Sequence, residues 1–260
     1  GVNMRILSGK QIRPRRILLY GPHGIGKSTW AAAAPCPIFL NIEDGVADLA
    51  VPKTEQLKQY ADVVSAVSWL IQNPHEFQTI VIDTIDWLEH LIFQQVARDA
   101  SKGNISDIGY GKGYDAGREK WDFLLRGLDE LRKQRNTTII LLAHAKIVKF
   151  DNPETDAYDR YDLDLHKSSC GLVQEWCDEV FFACQRVFVR TEEQGFNRER
   201  KIAVGNNERY IRTTETPAAI AKNRLQLPAE LPLDWAAFAK FLPVIPANVS
   251  GVVVNGSSKQ

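Results

Sequence analysis

The sequence predicts an α/β fold: a mainly parallel sheet flanked by helices, with a C-terminal antiparallel β extension. Three observations carry this. Short apolar runs alternate with stretches of 3.6-residue periodicity, which is the pattern of βαβ units. A complete G-x-x-x-x-G-K-[ST] motif stands between the first run and the first helical stretch. Beyond residue 179 the pattern changes to Val- and Phe-rich segments around a polar turn.

In chain order, the polar residues 1–16 end in Arg13, Pro14, Arg15 and Arg16, and Ile17 to Tyr20 forms the first apolar run. Its length and bounds suit a buried strand. Further runs of the same kind occur at Pro37 to Ile42, Thr79 to Ile82 and Thr138 to Ala143, ending at Glu43, Asp83 and His144. Uninterrupted apolar strands belong to a parallel sheet covered on both faces. Helical patterns fill the intervals at Ser28 to Ala34, Ala61 to Gln72, Ile85 to Ala100 and Ala116 to Gln134; in the last, Trp121, Leu124, Leu125, Leu128 and Leu131 share one face. Glu179 to Gly205 reads as a β-hairpin turning at Glu192 to Gly195, and Leu233 to Leu242 as a short helix begun by Asp234. The expected organisation is an N-terminal segment 1–16, one core 17–242 and a loose Pro-, Gly- and Ser-rich tail 243–260.

With 44% hydrophobic and 25% charged residues, 260 residues suffice for one substantial core. No run approaches the ~20 apolar residues of a membrane helix, and no signal-type segment opens the sequence, so a cytoplasmic protein without membrane partners is expected. Cys36, Cys170, Cys177 and Cys184 lack Cys-x-x-Cys spacing and read as reduced core thiols. The 32 basic and 32 acidic residues cancel, so nucleic-acid contact would have to come from local patches.

Gly21-Pro22-His23-Gly24-Ile25-Gly26-Lys27-Ser28 is the phosphate loop, with Thr29 next to it. Its glycines let successive N–H groups turn inward, the helix N-terminus adds its positive end, Lys27 reaches the β- and γ-phosphates, and Ser28 ligates Mg²⁺. ATP and Mg²⁺ are the expected cofactors; no Asn-Lys-x-Asp guanine-reading segment occurs. Asp83, at a strand end expected beside the loop, would hold Mg²⁺ through water. Thr84 follows it where many ATPases have a glutamate, so the general base must come from elsewhere. Glu43, on a strand expected to neighbour the first, is the leading candidate and Asp44 the next. His144 could contact the γ-phosphate and pass nucleotide state to the loop after it.

Together, Gly21 to Ser28, Asn-Ile-Glu-Asp-Gly at 41–45, Val-Ile-Asp-Thr at 81–84, Leu-Leu-Ala-His at 141–144 and Ala-Lys-Asn-Arg at 221–224 resemble the RecA-like branch of P-loop ATPases. Within it, they resemble most the phage Sak-type, Rad-like recombination and single-strand-annealing proteins. The resemblance runs from about Arg16 to Leu242. It implies Glu43 as catalytic glutamate, Asp83 as Walker B acid, and Lys222 and Arg224 as a cationic pair inserted into the neighbouring subunit's nucleotide site of a homo-oligomeric ring or filament. His144 departs from the glutamine of RecA proteins.

The resemblance also implies single-stranded DNA as partner, with a single-strand DNA-binding protein as a further one, and two DNA-binding loops. The first would be Ser101 to Arg118, where glycines give mobility, Tyr110 and Tyr114 offer stacking faces, and Lys102, Lys112 and Arg118 offer phosphate contacts. The second, Ala145 to His166, carries Lys146, Lys149 and Arg160 but also six acidic residues, which would repel a phosphate backbone unless they face elsewhere and could instead meet a protein partner or a cation. Arg186, Arg190, Arg198, Arg200 and Lys201 on the hairpin alternate with glutamates as on a solvated face. The competing readings are a nucleotide-dependent switch or helicase-loader-like ATPase that binds proteins, and a small-molecule kinase.

Overall fold

The computed structural model describes residues 9, 11–193 and 199–244, with side chains of 187–206 left aside. The expected hairpin turn at 194–195, the side chains of Arg190, Arg198, Arg200 and Lys201, most of the N-terminal segment and the tail beyond 244 therefore lie outside the described residues.

Five parallel strands form the centre of an eight-stranded sheet: β1 (Arg16–Gly21), β2 (Pro37–Asn41), β3 (Thr79–Asp83), β4 (Thr138–Phe150) and β6 (Glu179–Glu193). β5 (Tyr158–Leu163) pairs back on β4, while β7 (Glu199–Arg212) and β8 (Glu230–Pro232) extend the sheet antiparallel beyond β6. The spatial order is β2-β3-β4-β1-β6-β7-β8. Thus β2 does not neighbour β1, as sequence order suggested, and β3 does not either; β4 lies between β3 and β1. Chain order says nothing about which crossover inserts between two earlier strands.

The apolar runs face two cores. Leu18, Tyr20, Leu40, Ile80, Ile82, Ile139 and Leu141 pack on one face, and Ile17, Leu19, Phe39, Val81, Ile140 and Leu142 on the other. Successive strand side chains point to opposite faces, so burial on both faces yields a continuous run. The first face is covered by α2 (Tyr60–Gln72), α3 (Ile85–Asp99), α4 (Lys112–Arg135) and α5 (Lys167–Trp176). The second is covered by α1 (Lys27–Ala32) and α6 (Trp235–Ala239), where Trp30 meets Trp235 and Phe238. Asp234 caps α6, accepting from the Ala237 N–H at 2.9 Å.

Two expected loops are ordered elements. After two 3-10 turns, Ile105–Asp107 and Gly109–Gly111, α4 begins at Lys112, so Lys112, Tyr114 and Arg118 sit on a helix. The glycines that suggested mobility serve close packing: a Cβ at Gly113 would lie 2.8 Å from both Cγ1 and the carbonyl oxygen of Ile105, and one at Gly117 3.1 Å from Phe93. Ala145 to His166 is mostly the β4–β5 hairpin, in which Lys146 stands opposite Asp162 and Lys149 opposite Asp159. Opposite charges across a strand pair favour this register. No helix among the described residues is long and apolar enough to cross a membrane.

Candidate functional site

All five parallel strands deliver their C-terminal ends to one edge of the sheet, where ligands of open α/β sheets bind. Gly21 stands in register with His144, Asp83 with Leu142, and Asn41 with Asp83. Gly21 can only be glycine, because a Cβ would lie 2.5 Å from the Ala183 carbonyl of β6. The loop then bends through positive φ at Gly24 (69°) and Gly26 (110°) into α1, whose N-terminus has no side-chain cap. Those first helical N–H groups are thus left to a ligand, as an anion site requires.

The loop borders a cleft of about 320 Å³ lined by His23, Lys27, Ser28, Glu43, Asp83 and His144, among others. Sequence-distant residues meet here: of the predicted set, the phosphate loop, Glu43, Asp83 and His144 come together. Lys27 is buried and folds back on the loop, donating to the carbonyls of Gly21 (3.1 Å) and Pro22 (2.8 Å). Burial depresses its pKa, an effect that the charges of Asp83, Asp86 and Glu43 oppose. The Ser28 hydroxyl donates to Asp83 Oδ2 at 2.7 Å. Burial raises the Asp83 pKa more than the Ser28 bond and Lys27 lower it, and nearby Glu43 adds to the rise. A buried carboxylate left short of positive charge beside a hydroxyl is the donor set that suits Mg²⁺, so these residues fit the ion. The Asp83–Thr84 peptide is cis.

On the far wall, Glu43 Oε2 accepts from the Thr84 hydroxyl at 3.1 Å, and Oε1 lies 3.8 Å from His144 Nε2. His144 is held by Asp86, the second residue of α3, which accepts from the His144 backbone N–H (2.9 Å) and from Nδ1 (2.7 Å). Burial disfavours the imidazolium, but the hydrogen bond and charge of Asp86 outweigh it and raise the pKa. The His144 ring stacks on His23 with centroids 3.7 Å apart. Beyond it the Asp164 N–H donates to the His144 carbonyl at 2.9 Å, joining the site to the foot of the β4–β5 hairpin. A larger cavity, about 510 Å³, opens at the opposite edge of the sheet, away from these groups.

Three residues of this site were not foreseen. Asp86 and Thr84 follow Asp83 within three positions, so their proximity was readable. Arg209 on β7 donates to the Ile25 carbonyl at 2.9 Å and overlies Gly26, a meeting across more than 180 residues that no local pattern signals.

The other expected residues lie apart. Lys222 pairs with Val180 near the N-terminal ends of the strands, and its ammonium donates to the carbonyls of Gln174, Glu175 and Cys177 at the end of α5. Arg224, half exposed, donates to Asp178 at 3.1 Å. Lys102, Lys112, Arg118 and Lys149 are exposed, and Tyr110 is fully so. Tyr114 stacks on His166 at 4.0 Å, bringing the start of α4 against the end of the hairpin. Lys146 donates to the Leu165 carbonyl at 2.6 Å. Residues 13–225 match the model of a protein family described as AAA domain. No curated protein matches the chain.

Proposed function

Because the chain belongs to the AAA-domain family and so carries a nucleotide-binding, AAA-type P-loop ATPase-like domain, we propose that it hydrolyses ATP with Mg²⁺ in a RecA-like manner and acts on single-stranded DNA. The observation that carries the hydrolytic part is the convergence of Lys27, the Ser28–Asp83 pair and Glu43 on one cleft. Ser28, and Asp83 through water, would hold Mg²⁺, which would supply neutralisation of phosphate charge when bound. Lys27 leaves the loop carbonyls for the γ-phosphate. Glu43, oriented by Thr84, takes a proton from the attacking water as its oxygen bonds to the γ-phosphorus and the bond to the bridging oxygen breaks. His144 reads the γ-phosphate and passes its presence to the hairpin through the Asp164 bond.

The DNA part rests on the resemblance to Sak-type phage recombination and annealing proteins. The Tyr114–His166 stack adds support by joining the two candidate DNA segments into one surface, with Tyr110, Lys102 and Lys112 exposed nearby in sequence. A ring or filament would let Arg224 reach a neighbouring site. A second reading, a switch that binds a protein, is favoured by the hairpin, where Asp151, Glu154, Asp156, Asp159 and Asp164 are exposed. Hydrolysis measured with and without single-stranded DNA at several salt concentrations, with Lys27→Ala as blank, separates the two. Stimulation that fades with salt supports the DNA reading; indifference to DNA at low salt overturns it in favour of the protein partner.

A further inference from the structure

Three metal-ligating side chains from three separate elements face one another in the cleft. They are His23 in the phosphate loop, Glu43 after β2 and His144 on β4, and their ligating atoms all lie within 4.8 Å of one another. Two of them are held in place by hydrogen-bond partners. Glu43 commits Oε2 to the Thr84 hydroxyl, which leaves Oε1 toward His144. His144 commits Nδ1 to the buried Asp86 carboxylate, which leaves Nε2 toward Glu43. A carboxylate on the outer nitrogen of an imidazole is how proteins fix a histidine to bind a metal.

We propose that His23, Glu43 and His144 form a site for a borderline divalent cation of the Zn²⁺ kind, distinct from the Ser28–Asp83 magnesium pair. Two imidazoles and one carboxylate suit Zn²⁺, whereas Mg²⁺ prefers oxygen ligands. Metal–ligand bonds of about 2.0–2.2 Å in tetrahedral geometry place neighbouring ligand atoms about 3.3 Å apart. His144 Nε2 and Glu43 Oε1, at 3.8 Å, are close to that spacing. His23 is exposed and Glu43 partly so, which lets the histidine turn out of its stack and both close on the ion. The fourth position stays open to water. An ion bound there ties the phosphate loop to the ends of β2 and β4 and takes a Glu43 oxygen away from water activation. That inhibitory consequence rests on the hydrolytic reading; the site itself does not.

The test is calorimetric titration of Zn²⁺ into the nucleotide-free, tag-free chain carrying Cys36→Ser, since Cys36 is an exposed thiol. The expected result is one ion per chain, with affinity at least about 10-fold lower in His23→Ala and roughly 10- to 100-fold lower in Asp86→Asn, as for outer partners of metal ligands. Ser28→Ala should bind Zn²⁺ like its parent. Equal affinity in His23→Ala, or a matching loss in Ser28→Ala, overturns the site. Because His23 is exposed, its variant keeps the test decisive if Asp86→Asn does not fold. Zn²⁺ that binds as expected yet leaves ATP hydrolysis unchanged upholds the site and counts against Glu43 as base.

Discussion

Gly113→Ala tests whether the glycine-rich segment before α4 is packed or mobile. The added methyl group would lie 2.8 Å from Ile105 Cγ1, 2.8 Å from the Ile105 carbonyl oxygen and 3.2 Å from Ile108 Cβ. The carbonyl oxygen is backbone of a 3-10 turn and cannot swing aside as a side-chain tip would. Overpacking of this kind costs about 1–3 kcal/mol. The better helix propensity of alanine offsets up to about 1 kcal/mol, less in a first turn. A net loss of about 1–2 kcal/mol corresponds to a fall in Tm of about 2–8 °C for a chain of this size. Gly109 is the control: nothing lies within 4 Å of its Cβ position and its φ is not positive. Gly109→Ala should raise stability by about 0.4–1 kcal/mol through the unfolded chain. Thermal and urea unfolding of both variants gives the comparison. Equal, near-zero shifts would refute the packing argument and restore the segment to a mobile loop.

Other expectations follow from the opposite edge of the sheet. Burial works against the charge of Asp178, but hydrogen bonds from the Arg16 side chain and backbone N–H overcome it and hold its pKa below the usual range. Asp178→Asn should therefore cost about 1.5–3 kcal/mol in urea unfolding at neutral pH. A depressed carboxylate stabilises above its unfolded pKa, so that difference should be full at pH 5 and above, shrink below about pH 4 and vanish as pH falls through the folded pKa; a difference constant down to pH 3 would contradict it. Lys222→Ala should lower stability by about 1 kcal/mol by uncovering the α5 carbonyls. Arg224→Ala, half exposed, should leave Tm within a degree or two yet slow ATP hydrolysis by roughly 10³-fold if it acts in a neighbouring site. An unchanged specific rate removes the intersubunit role.

Much of the fold was legible because burial on both sheet faces writes strands as continuous apolar runs. Ile17 to Tyr20 and Thr79 to Ile82 could be placed almost to the residue. Sheet order was not legible, since β4 reaches its place between β3 and β1 through long-range pairing. Gly113 and Gly117 pointed to a loop because glycine for flexibility and glycine for close approach look alike in sequence. The acidic hairpin read as a loop because its charged residues hid two strands that pair with each other, Ala145 to Phe150 against Tyr158 to Leu163. Helix α5, whose Ser168, Ser169 and Gly171 are weak helix formers, was passed over for the same reason that propensity is a weak guide. In the cleft, strand-end residues announced themselves, whereas Arg209 could be found only from its contact with Ile25.

The central claim is that Glu43 activates water across a cleft built on Lys27, Ser28 and Asp83. Its most direct test is Glu43→Gln, with Mg·ATP affinity and the single-turnover hydrolysis rate measured on the same preparation. General-base catalysis contributes about 10²–10⁴-fold, so the rate should fall by at least about 100-fold while affinity stays within a few-fold. Hydrolysis at the parent rate would contradict the assignment and move the base to another group of the cleft.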